Sequence, residues 1–580
     1  MSAFYDLWIG NSLPGSYRSG NAGWLHSQLA LQCFLSLPGN KTDFYSETDS
    51  DTHTLIVLGQ FYEKINISTL LQQCAKYIAN TDEIFYDPAG HYILFLFDKK
   101  SKYWYVFTNR LGTYHAYWLS EDGKNSISTY YLELARFAGT KELDWEGITG
   151  FLSMGFFPED KTYLKTIKIF KPASCYCFNE QLQLVNYQRY WNWSHQPQEY
   201  SVNKHINKLN EVLIATLGEA IKGKRVALPI SGGLDSRVLS GVTSQILHGD
   251  VSKLWSFSYG YSDTSVETII AKQIANSRKI PFDNYVVPNY LFDKINTITE
   301  SVELFQYVDG TRQAFMNEML DRKSDVVIGG HWGDVWMDDM GIEDDASKNE
   351  DDTLLFAFRK KIIKKGSSWL MNEVCKPYIK DSEDYLNSYF TDYINKYKYI
   401  KDPDFRMKIF KTDQWSFRWT LASIRMYQAG AFPVLPFYDR RIVELFTTIK
   451  TSEVKKRYLE VEYIKAFHPD LAKIKWQEYN SNLYNYKFFS NRNIAYRVAD
   501  KLKRSVVKNS VVRRNWEIFY LNPAGREHLE QELLNPKFSA IVSAGKIRQL
   551  INELYDAPSA SNGYAISMLL TFSQFINKIM

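Results

Sequence analysis

The run Val226-Ala-Leu-Pro-Ile-Ser-Gly-Gly-Leu-Asp-Ser-Arg237 breaks an apolar strand at Ser-Gly-Gly-Leu-Asp-Ser and then continues as a helical pattern. Those residue types suit a phosphate chain. Gly232 and Gly233 have no Cβ, so the backbone turns tightly and brings its amides close to an anion without a clash. Ser231 and Ser236 add hydroxyl donors, and the helix opening near Asp235 aims free N–H groups and a partial positive charge at the same place. A carboxylate such as Asp235 beside phosphates requires a cation between them, and Mg2+ favours one or two carboxylates plus phosphate oxygens. The plain alternative is an ordinary strand-to-helix turn, because Ser-Gly-Gly and Leu-Asp-Ser are each common turn chemistry. A nearby G-x-x-x-x-G-K run, Gly218 to Lys224, is not a Walker loop. It lacks the following Ser or Thr and leads into a strand instead of out of one.

Two further stretches have the same character. Asp325-Val-Val-Ile-Gly-Gly-His-Trp-Gly-Asp-Val335 reads as a short strand ending in a Gly-rich turn with an acid, and Leu435-Pro-Phe-Tyr-Asp-Arg-Arg-Ile-Val-Glu444 follows about a hundred residues later. Between the first turn and these stretches lie a strand at Leu254–Tyr259 and a helix carrying Glu267 and Ala271. Strands alternating with helices imply a parallel sheet, whose ligands bind at the carboxyl ends of the strands. Ser231, Tyr259 and Gly330 fall at such ends; Tyr259 either lines an adenine pocket or is a buried structural tyrosine.

The first 195 residues read differently. Thr54–Leu58, Tyr92–Phe97 and Tyr103–Phe107 are short, aromatic and β-branched runs separated by polar turns, as in packed sheets. The polar stretch Ser194–Glu199 is the natural linker to residues 196–580.

Length and composition bound the class. A chain of 580 residues with 45% hydrophobic content predicts two or more domains with substantial cores. A net charge of +4 does not call for a nucleic acid. The start, MSAFYDLWIGNSLPG, has no secretory pattern and no later stretch reaches the length of a transmembrane segment, so the expected location is cytoplasmic. Cys33, Cys74, Cys175, Cys177 and Cys375 are scattered and without zinc-site spacing, and read as buried thiols. The acidic run Asp338–Asp352 reads as a mobile, solvated loop beside the site, and the basic run Arg492–Arg514 as a solvated helix face.

The strand–SGGLDS–helix turn resembles the pyrophosphate-binding loop of the N-type ATP pyrophosphatases, and the two later segments resemble the S-G-E-G-S-D-E and V-P-F-L-D-x-R-x-V-E stretches of the asparagine synthetase-like family. Gly90 to Trp118, with Asn109-Arg-Leu-Gly112 and Tyr117-Trp118, is similar to that family's glutaminase domain, and Phe151 to Trp191 continues the likeness. The resemblance implies an α/β protein: an N-terminal β-rich Ntn-hydrolase-like α+β sandwich over 1–195, then a parallel-sheet adenine-nucleotide α-hydrolase-like (PP-loop) domain over 196–580 with a helical C-terminal part. It implies ATP and Mg2+ as cofactors, Asp235 and Asp334 as metal carboxylates, and Ser231, Gly232, Gly233, Asp235, Ser236, Tyr259, Gly329 and Gly330 around the nucleotide. The chemistry it implies is amide formation through an acyl-adenylate: a carboxylate attacks the α-phosphate, pyrophosphate leaves, and ammonia or an amine attacks the mixed anhydride. The partners are then a small-molecule, peptide or sugar carboxylate and a nitrogen donor, with homodimerisation left open.

The chain departs from the family at several places. Position 2 is Ser2 where family glutaminases have a nucleophilic cysteine, and the surrounding signature is missing, so glutamine hydrolysis is not expected. His331 stands where the family has a catalytic glutamate; it is either a proton acceptor for the incoming amine or a structural histidine, and lasso-peptide cyclases place a histidine there. Arg457 replaces a lysine and retains the capacity to clamp phosphate. Gln477 occupies the place of a lysine that stabilises the adenylation transition state, with Lys475 nearby but out of register. Phe432 and Val434 replace a Glu and an Arg. These changes leave three functions open: a ligase with a divergent substrate, a non-catalytic nucleotide-binding partner subunit, and a glutamine-hydrolysing asparagine synthase using Ser2.

Overall fold

The computed structural model describes residues 6–10, 14, 23–26, 32–36, 43–80, 82–247, 251–262, 264–342, 350–487 and 514–580. Ser2 and all of the 492–514 basic run except Arg514 lie outside them.

Alternation along each strand builds the amino-terminal layers. In Gly90–Asp98 the side chains of Ile93, Phe95 and Phe97 enter one core, while Tyr92, Leu94 and Leu96 enter a second core shared with Leu70, Leu71, Cys74 and Tyr77 of the helix Ile67–Ala79. A strand buried on both faces reads as the near-continuous apolar run seen in the sequence. It sits in a six-stranded antiparallel sheet ordered Leu184–Arg189, Ser174–Phe178, Tyr103–Thr108, Gly90–Asp98, His53–Phe61, Tyr45–Asp49. The facing antiparallel sheet runs Ile167–Ile169, Tyr117–Leu119, Ser126–Ser128, Asp6–Gly10, Gln32–Ser36, Gly23–His26. Trp118 ties the two together, its ring 5.0 Å from Phe170 and 5.2 Å from Tyr176.

Beyond the linker the period changes and so does the sheet. Five parallel strands are ordered Phe282–Val286, Leu254–Gly260, Val226–Pro229, Val326–Ile328, Phe432–Val434. Helices Leu234–Ile246 and Val266–Ser277 follow the first two in chain order, and the remaining C-terminal part is helical, ending in Ala560–Ile579. The architecture is therefore the layered antiparallel part followed by a parallel sheet and a helical C-terminus. The linker is strapped rather than free: Gln196 and Gln198 donate their N–H groups to the carbonyls of Thr447 and Thr448.

The two sheet systems share one continuous core. Tyr163 stacks on Phe575 at 4.0 Å, and Glu303, fully buried, pairs with Arg425 at 3.0 Å while accepting from the Tyr131 amide. Cys33, Cys74, Cys175 and Cys375 are buried, Cys177 is half-buried, and all five are free thiols. Among the described residues no helix is long and apolar enough to cross a membrane.

Candidate functional site

The strand Val226–Pro229 ends in a turn held by its own hydroxyls. Ser231 Oγ lies 3.0 Å from Ser236 Oγ, the Ser231 amide donates to Ser236 Oγ at 3.0 Å, and the Gly233 amide donates to Ser231 Oγ at 3.2 Å. Gly233 is the N-cap of the helix Leu234–Ile246, and no side chain caps it. The opening amides of that helix are thus left for another acceptor.

The Gly329–Asp334 turn folds over this helix opening. A Cβ on Gly330 would sit 3.8 Å from Asp235 Cβ and 3.9 Å from the Ser236 amide; one on Gly333 would collide with Asp235 Oδ1 at 2.4 Å. Position 333 therefore tolerates only glycine while Asp235 keeps its place. Trp332 holds the turn in a left-handed conformation, φ +77°, with its indole N–H donated to Thr412 Oγ1 at 3.0 Å. Asp334 is exposed at the mouth, and its charge raises the pKa of Asp235.

Arg457 closes the arrangement. Its Nη2 lies 2.5 Å from both Asp235 Oδ1 and Glu460 Oε2, and Glu460 is fully buried. Lys456 and Arg457 are both left-handed, at φ +55° and +60°, a conformation that costs about 1–2 kcal/mol per residue. Asp339 and Asp338 hold it by accepting from the amides of Lys456 and Arg457 at 3.1 and 3.2 Å. This corrects the reading of Asp338–Asp352 as a solvated loop. Its first residues brace the Arg457 turn, and at its far end Glu350 pairs with Arg406 and Asp351 with Lys398; residues 343–349 lie outside the described part. Burial pushes the Asp235 carboxyl up, the Arg457 guanidinium pulls it down and Asp334 pushes it up; burial holds Glu460 well above the usual carboxylate range. Asp235 and Asp334 are the carboxylates here that could hold Mg2+, an ion that takes one or two carboxylates beside phosphate and water.

His331 is half-buried, its Nδ1 enclosed and without a hydrogen-bond partner, its ring 6.3 Å from Tyr427. Burial pushes the imidazole down to about 4, so it is neutral near pH 7 and can accept a proton. Tyr259 ends the strand Leu254–Gly260 half-buried, with the Arg312 guanidinium 5.6 Å from its ring. Arg312 was not singled out by sequence reasoning, because it opens the short 3-10 helix Arg312–Met316 with no periodicity to mark it. Among the described residues no carboxylate pairs with it.

Lys475 and Gln477 separate in space. Arg237, fully buried, donates to the carbonyls of Leu471, Ile474 and Lys475 and so ties that segment to the helix after the turn. The Lys475 side chain is exposed, whereas Gln477 reaches the turn: its Oε1 lies 2.5 Å from where a Cβ on Gly232 would be. Asp439 is structural. It is fully buried, caps Arg440–Phe446, and accepts from Thr216 Oγ1 at 2.6 Å.

Residues 209–457, which hold both Gly-rich turns and end at Arg457, match the asparagine synthase family model. This stretch of the chain is similar to the asparagine synthase family. A curated protein of Methanocaldococcus jannaschii, named as a putative glutamine-hydrolyzing asparagine synthetase, is 25% identical over 311 residues, 51% of this chain and 55% of that protein. The chain thus spans about half the length of this asparagine synthetase-like relative. Among solved structures, glutamine phosphoribosylpyrophosphate amidotransferase from B. subtilis, complexed with ADP and GMP, matches at 9% identity and a TM-score of 0.17, covering 48% of this chain and 59% of that one. A likeness of that size carries no argument about the site.

Proposed function

We propose that the protein is an ATP-dependent amide-forming ligase that activates a substrate carboxylate as an acyl-adenylate, releases pyrophosphate, and transfers ammonia or an amine to the acyl group. The observation that carries this reading is the meeting of the uncapped helix opening at Gly233 with Asp235 and the Gly329–Asp334 turn at the carboxyl end of a parallel sheet. Bound magnesium would neutralise charge on the departing pyrophosphate. The chain's own residues do the rest. Ser231, Gly232, Gly233 and Ser236 cradle phosphate, and Asp235 and Asp334 hold the ion. Arg457 supplies a fixed positive charge, Tyr259 lines the base pocket, and Arg312 offers a guanidinium to the substrate carboxylate. His331, neutral and with a free Nδ1, takes the proton from the attacking amine. The amino-terminal part, residues 1–195, serves as a glutaminase-like scaffold without glutamine hydrolysis, and the protein works in the cytoplasm.

A second reading, a nucleotide-binding subunit without turnover, is favoured by Gln477 over Gly232 and by the Arg457 ion pair on Asp235. Calorimetry with magnesium and a non-hydrolysable ATP analogue tests the first step. The expected result is binding in wild type that is lost in Asp235→Ala, followed by carboxylate-dependent pyrophosphate exchange. Absent wild-type binding sinks the ligase; binding without exchange across a carboxylate panel leaves the subunit reading.

A further inference from the structure

Lys411–Thr420 is a π-helix of ten residues, where π-geometry mostly occurs as single-turn bulges, frequently at functional sites. Part of its surface is anchored inward. Asp413 accepts from the Trp193 indole N–H at 2.9 Å, Gln414 Oε1 accepts from the Glu159 amide at 2.9 Å, and Arg418 donates to the Lys161 carbonyl at 2.7 Å. Lys411, Trp415 and Trp419, four residues apart, lie half-buried on another face.

Lys364 joins that face. Its Nζ lies 3.8 Å from the centre of the Trp415 ring, and Lys411 Nζ lies 5.3 Å from the same ring. A Cβ on Gly155 would stand 3.7 Å from Lys364 Cε, 3.8 Å from Tyr564 Oη and 3.9 Å from Trp419 Cδ1, so these three side chains converge on one spot. The cluster adjoins the candidate site, since Lys411 Nζ is 5.9 Å from the ring of Trp332, a residue of the Gly329–Asp334 turn.

Among the described residues neither lysine forms an ion pair, and Trp419 Nε1 is enclosed with no acceptor. Burial, with help from Lys411, pushes Lys364 down to about 8, and burial also lowers Lys411. Two like charges partly out of water beside an idle N–H donor are satisfied together by one anion. The indole faces around them suit an apolar or ring-bearing scaffold.

We propose that this cluster is a substrate subsite: the acid activated at Asp235 and Asp334 carries a second oxyanion, which Lys364 and Lys411 receive while its scaffold packs along the indoles of Trp415 and Trp419. The proposal rests on the ligase reading of the neighbouring site. It makes the substrate a bulky, doubly acidic molecule.

The test uses full-length protein whose lysines carry 13C-methyl labels, with the Lys364 and Lys411 resonances assigned from Lys364→Met and Lys411→Met. Inorganic phosphate and glutarate serve as probes and butyrate as the singly charged control. The expected result is saturable movement of these two resonances with phosphate or glutarate, little with butyrate, and affinity weakened about tenfold in Lys411→Met but recovered in Lys411→Arg. The better of the two probes tells whether the oxyanion is a phosphate or a carboxylate. Unmoved resonances, or movement shared equally by surface lysines, overturn the subsite. Binding of the magnesium–ATP analogue is measured on the same samples; its absence with an intact anion response overturns the ligase reading alone.

Discussion

Two buried carboxylate–arginine clusters in this molecule are built to opposite specifications. In the antiparallel part, Arg110 pairs with Asp87 at 3.0 Å, and the other Asp87 oxygen accepts from the hydroxyls of Tyr92 and Tyr190 at 2.8 and 3.3 Å. The second partner of Arg110, Glu444, is exposed and solvated. Around Asp235, one guanidinium serves two enclosed carboxylates, its own backbone is left-handed, and both Glu460 oxygens lack a well-aligned donor. The first cluster is served by its own partners and ties the antiparallel part to the helix Arg440–Phe446. The second is incomplete without something further, and unsatisfied buried groups combined with backbone strain mark a place where a ligand or proton belongs.

The sharpest way to break this contrast is to remove each arginine. Arg457→Met should cost about 3–5 kcal/mol, because it strands Asp235 and Glu460 without a counter-charge. Arg110→Met should cost less than half of that, since the tyrosine hydroxyls still serve Asp87. Urea unfolding of both variants measures the difference, and equal losses would put the two clusters in one class.

Next in size is Gly333→Ala. Its new Cβ overlaps the Asp235 carboxylate and the Phe437 ring, so about 1–3 kcal/mol of stability should be lost along with affinity for the magnesium–ATP analogue. Retained affinity would mean that Asp235 need not lie against this turn.

His331 offers a pH-resolved test. Its folded-state pKa is about 4, below the unfolded value near 6.5, so the unfolded chain binds the proton more readily. The contribution is fully present above pH 6.5 and is lost as pH falls through 6.5 toward 4. Against His331→Gln, the wild type should therefore lose up to about 3 kcal/mol of relative stability across that window. Comparing the two proteins cancels the opposite trend of buried acids such as Glu303, whose pKa is raised to about 7. A difference that stays flat in thermal melts from pH 7 to pH 4 would place the imidazole in water.

The smallest effect belongs to Gln477. Its side chain leans on Gly232 without sealing it, so Gln477→Ala should change affinity for the ATP analogue by less than about tenfold. A larger gain would make Gln477 a plug and favour the non-catalytic reading.

Much of this was legible in the chain itself. Alternating aromatic and β-branched runs announced the antiparallel layers. An apolar strand running into Ser-Gly-Gly-Leu-Asp-Ser located the first turn, because glycine and hydroxyl chemistry is local and needs no partner from elsewhere in the chain. The Asp325–Val335 run located the second turn for the same reason. What local pattern cannot encode is which distant segments meet. Arg312 opens a short 3-10 helix with no period to mark it, and Glu460 looks like one more acid on a helix. Lys411, Trp415 and Trp419 share a face by their spacing, but only the fold brings Lys364 to it, and Asp338 and Asp339 seemed solvated until the fold brought them to the amides of Arg457 and Lys456. Sequence determined the strands, the two Gly-rich turns and the identity of Asp235 and Asp334, since backbone freedom and hydrogen-bonding capacity belong to each residue. Tertiary structure decided which charges face one another and which are left unpaired, since burial and distance, and hence pKa and ligand preference, exist only once the sheets and helices have packed.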